Sequence, residues 1–122
     1  MRHMKNTSEN NLYIGLMSGT SMDGVDAALT SFENKKIQLI ETASISIPAT
    51  IKSALAALCH GENISLKLLG ETDTQMGNLF AEAVLNLLAK AKINAAEIAA
   101  IGSHGQTIFH HPHLPHPFTM QI

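Results

Sequence analysis

The segment Gly19 to Asp26, read GTSMDGVD, combines glycines, hydroxyls and carboxylates in one short stretch. It follows the apolar run Leu12 to Met17 and the hydroxyl of Ser18. Such a run reads as a buried strand. A loop of small residues at a strand end presents backbone N–H groups and hydroxyls, which suit phosphate oxygens. A nearby carboxylate suits a hydrated magnesium ion. Glycine adds close backbone approach to an anion and access to positive φ. The same residue types also build ordinary hairpin turns, so composition alone leaves both readings open. The loop is not a Walker A motif, because no terminal Gly-Lys-Ser/Thr follows. It is not an EF-hand either: the acids are wrongly spaced and no closing Glu follows.

A second polar cluster, Ser103-His104-Gly105-Gln106-Thr107, follows the apolar residues Ala99 to Gly102. In open α/β sheets ligands gather beyond the carboxyl ends of strands. His104 and Gln106 are suited to sugar hydroxyls or an N-acetyl group, and a polar run in that place needs hydrogen-bond partners. The alternative is that His104 caps the strand and Gly105 only permits a turn. His110, His111, His113 and His116 invite a metal site. That reading is rejected, because neighbouring strand residues point to opposite faces and the intervening prolines splay the loop. Cys59, with no visible base partner, reads as a small core residue.

The literal strings carry more than their composition. Gly-Thr-Ser-X-Asp-Gly-X-Asp, found at Gly19 to Asp26, and Ile101-Gly-Ser-His-Gly-Gln-Thr107 resemble motifs of the anhydro-N-acetylmuramic acid kinases, over about Asn11 to Ile122. The resemblance implies the sugar kinase/Hsp70/actin (ribonuclease H-like) fold with ATP between two domains. It implies that Gly19, Thr20, Ser21, Met22, Asp23, Gly24, Val25 and Asp26 bind the cofactor ATP, with Mg²⁺ as its counter-ion. In the wider superfamily the first strand usually ends in an Asp, and Met17 stands at that position here. The metal-facing carboxylate must then be Asp23 or Asp26. Asp23 lies in the loop itself and is the first candidate; Asp26 begins the next strand and could instead brace the hairpin. The implied reaction opens 1,6-anhydro-N-acetylmuramic acid with water and phosphorylates O6, giving N-acetylmuramic acid 6-phosphate. The base belongs to a later Asp-Thr-Gly-Pro-Gly-Asn-like region, so no catalytic base is named among these residues. Family members are much longer, and the chain ends in what reads as mid-strand. It is therefore expected to be the N-terminal part of a first domain, inactive alone. Two other readings stay open: a phosphatase with Asp23 as nucleophile, and a nucleotide-binding regulatory domain without sugar dependence.

The elements that must hold these residues are legible in outline. With 122 residues, 45% apolar, the chain can bury a core. A net charge of −2 gives no electrostatic case for nucleic acid. No apolar run is long enough for a membrane span. Met1 to Asn10 is polar, lacks the apolar core of a signal peptide and is expected to be a disordered lead-in. A single cysteine excludes an intrachain disulfide. A cytoplasmic location follows as the default.

Asn11–Met17, Val25–Phe32 and Ile37–Ile47 read as three antiparallel strands in a meander. Pro48 and Thr50 open a helix that Gly61 closes. Ser65 caps a second helix, with a break near Gly70. Its clean pattern is Met76, Leu79, Phe80, Ala83, Val84, Leu87, Leu88 and Ala91. Ala95–Ile98 is a helical turn or loop. Ala99–Ser103 is a short buried strand, parallel to the first because a helix precedes it. Ile108–Phe109 and Phe118–Ile122 form a hairpin. The fold class is α/β. A chain cut at that hairpin would expose sheet surface, so self-association, such as a homodimer, is expected.

Overall fold

The computed structural model of the chain describes residues 11–122. The expectation for Met1 to Asn10 lies outside the described residues. One five-stranded sheet has the order β3-β2-β1-β4-β5. Its strands are β1 (Leu12–Ser18), β2 (Gly24–Glu33), β3 (Lys36–Ser46), β4 (Ile98–His111) and β5 (Phe118–Gln121). β1, β2 and β3 form the antiparallel meander, β4 runs parallel to β1, and β5 returns antiparallel to β4. Two helices, α1 (Ala49–His60) and α2 (Leu66–Ala91), make the crossover between β3 and β4. This is the α/β arrangement expected of the first domain of the sugar kinase/actin-like fold.

Strand alternation sets the core. Ile14 and Leu16 of β1, with Val25, Ala27 and Leu29 of β2, point to the helices and are buried. They meet Ile51, Leu55 and Leu58 of α1 and Met76, Leu79, Phe80, Ala83, Leu87 and Leu88 of α2. Each large aliphatic side chain so enclosed contributes roughly 1.5–3 kcal/mol. The helix ends follow their signals. Gly61 takes the left-handed conformation (φ 68°) and its N–H returns to Leu58, while the Ser65 hydroxyl accepts the Leu68 N–H. Asn94 and Glu97 cap the short 3₁₀ turn Ala95–Glu97 reciprocally. At the far end of α2, Lys90 donates to the Thr42 carbonyl at 2.8 Å and pairs with Glu41. The Thr42 N–H, then Lys90, hold the Glu41 carboxyl below the usual carboxylate range.

Three expectations are corrected. α2 is continuous through Gly70, since Thr72 and Met76 are buried on the same face as the later residues and carry the helix across the glycine. The fourth strand does not stop at Ser103: β4 runs on to His111 and absorbs the Ser103–Thr107 cluster. Ala99 to Ser103 is also exposed rather than buried. The long helix α2 packs over β2 and β3 and leaves that part of β4 uncovered.

Candidate active site

β1 ends at Ser18, and the chain turns through Gly19 to Asp23 before entering β2 at Gly24. The turn is closed by the Met22 N–H donating to the Gly19 carbonyl at 3.1 Å, with Met22 in the left-handed region (φ 56°). Gly24 is required by crowding: a Cβ there would stand 2.6 Å from the Ile45 carbonyl oxygen of β3. The loop frames a hollow of about 470 Å³ lined by Gly19, Ser21, Asp23, Gly24 and Asp26, together with Met17 and Ser44. Both acids therefore reach one depression. The Asp26 carboxylate accepts the Ser44 hydroxyl at 2.5 Å. Asp23 is ion-paired with Lys52 of α1 at 3.3 Å, both side chains well exposed.

Asp26 pairs with Met17 in the β1–β2 register. A second hollow, about 540 Å³, lies on the sheet face away from the helices. Met17, Asp26, Ser44 and His104 line it, around a floor of Gly15, Ala28 and Gly102. Met17, Asp26 and Ser44 belong to both hollows. His104 is exposed, and its ring stands 3.2 Å from the Gln121 amide nitrogen. Asp26 and His104 thus share one hollow, with Asp23 on the adjoining one, although they lie far apart in sequence.

Not every residue of the loop faces outward. The Val25 side chain is fully buried, and Met22 packs against the core. Alternation sends the Val25 side chain to the helix face, away from the hollow. Gln106 has a different setting from the one expected of a sugar contact: it is fully buried. Its amide oxygen accepts the Ser18 hydroxyl, and its amide nitrogen donates to the carbonyls of Thr107 at 3.1 Å and Gly19 at 3.4 Å. Within the β4–β5 ladder, His110 is bonded to its register partner Thr119 at 2.8 Å. His111 packs among Phe109, Phe118 and His113. Cys59 is half-buried, and desolvation pushes its thiol up.

Lys52 and Ser44 escaped the sequence reading. Their partners lie 29 and 18 residues away, so no local pattern marks them. Ser44 has one faint signal, a small hydroxyl on the outward phase of a strand.

A magnesium ion usually takes one or two protein carboxylates and completes its shell with water and phosphate oxygens. Asp23 and Asp26 at one hollow, beside the loop amides and the Ser21 hydroxyl, fit that pattern. Among the described residues no group of three or more acids, histidines or cysteines converges on a metal position.

A family model described as anhydro-N-acetylmuramic acid kinase matches residues 11–122. The chain is 48% identical over 115 residues to the anhydro-N-acetylmuramic acid kinase of Vibrio vulnificus strain YJ016, covering 94% of this chain and 31% of that protein. It is 50% identical over 113 residues to the enzyme of that name from Vibrio parahaemolyticus, covering 93% and 30%. Against the one from Coxiella burnetii strain Dugway 5J108-111 it is 54% identical over 110 residues, covering 90% and 29%. The chain thus spans about 30% of the length of these curated relatives.

Proposed function

Since the chain belongs to the anhydro-N-acetylmuramic acid kinase family, we propose that the full-length protein transfers the γ-phosphoryl group of ATP to O6 of 1,6-anhydro-N-acetylmuramic acid. Water adds at C1 as the C1–O6 bond breaks, and O6 takes the phosphoryl group with ADP leaving. The product is N-acetylmuramic acid 6-phosphate, a step of peptidoglycan recycling in the cytoplasm.

The observation that supports this reading is the Gly19–Asp26 loop at the carboxyl end of β1, with both acids on one hollow. Phosphoryl transfer asks the protein chiefly for positioning and charge neutralisation. The backbone of Gly19 to Gly24 and the hydroxyls of Thr20 and Ser21 would cradle phosphate oxygens. Asp26, beside the Met17 position where the superfamily usually has its acid, would hold Mg²⁺ with Asp23. The ion when bound supplies neutralisation of developing phosphate charge. Ser44 fixes the Asp26 carboxylate, and Lys52 steadies Asp23. His104, on the adjoining hollow, would face the amino sugar. The catalytic base and the adenosine pocket belong to the rest of the protein.

Incubating the full-length protein with labelled ATP, with and without the anhydro-sugar, tests the reading. Sugar-dependent label in a phosphorylated amino sugar supports it. Label retained on Asp23 would favour a phosphatase-like enzyme, and nucleotide binding without sugar dependence a regulatory domain.

A further inference from the structure

Three polar side chains are buried among the described residues: Ser18, Thr72 and Gln106. Thr72 satisfies itself within its own helix, donating to the Leu68 carbonyl at 2.7 Å. Ser18 and Gln106 satisfy one another across the β1–β4 ladder. Burying a primary amide without partners costs several kcal/mol, so its partners are a strong constraint on where it sits. Two of the three partners of Gln106 are Ser18 and Gly19, the last residue of β1 and the first of the loop.

An irregularity in β4 creates this arrangement. Leu16 pairs with Ser103, but Ser18 pairs with Gln106, so β4 takes three steps where β1 takes two. The extra residue is accommodated at Gly105, which has φ +74°. A Cβ at Gly105 would stand 2.6 Å from the Ile122 carbonyl oxygen. The added step inverts strand alternation. His104 stays on the open face, while Gln106, which regular alternation would place beside it, turns to the core. The Gln106 backbone then pairs with Ile122, donating at 2.7 Å and accepting at 3.0 Å. One residue therefore ties the start of the loop, the His104 segment and the β5 edge together.

We propose that Gln106 is a positioning residue for the Gly19–Asp26 loop: through Ser18 and the Gly19 carbonyl it fixes the loop in register with the strand segment that carries His104. The proposal rests on the kinase reading above. It departs from that reading's starting expectation, in which Gln106 touches the sugar. A residue acting this way changes nucleotide handling without contacting nucleotide, and its loss loosens the loop even where the fold survives.

Full-length protein carrying Gln106→Leu, Ser18→Ala, and both together tests this. Replacing both partners of a buried hydrogen bond with apolar groups leaves stability nearly unchanged, whereas replacing one strands the other. The double variant strands neither side chain, and the Gly19 carbonyl keeps the Met22 N–H, so it is expected to melt closer to wild type than Gln106→Leu alone. It should still show a KM for ATP raised about tenfold, as for loss of a group that orients a direct ligand. KM for the anhydro-sugar should move much less. A double variant with wild-type melting and wild-type KM for ATP would reduce Gln106 to a core residue. If Gln106→Leu fails to fold, Ser18→Ala, which removes one hydroxyl, carries the same comparison.

Amide hydrogen exchange at Gly19 to Asp23 gives a readout independent of catalysis. Faster exchange there in the double variant, with the rest of β1 unchanged, supports the latch. Unchanged exchange overturns it. A wild-type protein without sugar-dependent turnover would sink the kinase reading and leave this exchange result to decide the latch.

Discussion

Asp26 stands opposite Met17 in the antiparallel β1–β2 ladder, and both side chains line the hollow on the sheet face away from the helices. Met17 stands where the resemblance places the acid that ends the first strand, and in the proposed function the Asp26 carboxylate of the next strand takes that role. The Ser44 hydroxyl holds that carboxylate in place. In the full-length protein, Asp26→Asn is expected to lower kcat/KM with ATP by on the order of 100-fold and to raise the Mg²⁺ concentration needed for half-maximal rate. Asp23→Asn should reduce it less, because Asp23 sits at the loop rim in an exposed pair with Lys52. Magnesium titrations of the folded variants measure both. Wild-type rates in Asp26→Asn would remove it from the metal side.

His104 is expected to act on the sugar side. His104→Ala should raise KM for the anhydro-sugar more than KM for ATP. A change confined to ATP would place His104 with the nucleotide, and no change would leave it a surface residue bonded to Gln121.

Much of this arrangement is legible in the sequence, and the misses share one cause. The ends of α1 and α2 were readable because Gly61 and Ser65 act on neighbours a few residues away. The buried face of α2 was readable because its period is local. What failed depended on distant residues. The Ser103–Thr107 cluster reads as a loop, since polar residues around a glycine usually punctuate a strand. Pairing with Ser18 and Ile122 keeps it in β4 and turns Gln106 inward. Ala99 to Ser103 reads as buried from composition, but exposure is decided by what packs on it. Gly70 reads as a break, yet tertiary packing of Thr72 and Met76 overrides propensity.

Two glycines should respond to alanine with opposite signs. Gly24→Ala drives a Cβ against the Ile45 carbonyl and is expected to destabilise by about 1–3 kcal/mol. At Gly70, inside α2, an added Cβ meets nothing within 4 Å. Gly70→Ala should stabilise by about 0.5–1 kcal/mol. Denaturant unfolding of the two variants distinguishes them; destabilisation by Gly70→Ala would mean that its apparent space is filled.

Burial pushes the Cys59 thiol above its ordinary range. The reactive thiolate should therefore be scarce near neutral pH and appear as pH rises past the ordinary thiol range. Iodoacetamide should modify Cys59 more slowly than a free thiol at pH 7 to 8, with the rate climbing further into the alkaline range. Modification faster than a free thiol would contradict that environment.

The loop after β1 is proposed to serve ATP-dependent phosphorylation of an anhydro-amino sugar. That role is tested most directly by supplying the full-length protein with γ-labelled ATP, Mg²⁺ and 1,6-anhydro-N-acetylmuramic acid and following the label. N-acetylmuramic acid 6-phosphate is expected to form in step with ADP, with that product lost in Asp26→Asn. ADP release that is indifferent to the sugar, or full product formation by Asp26→Asn, would contradict it.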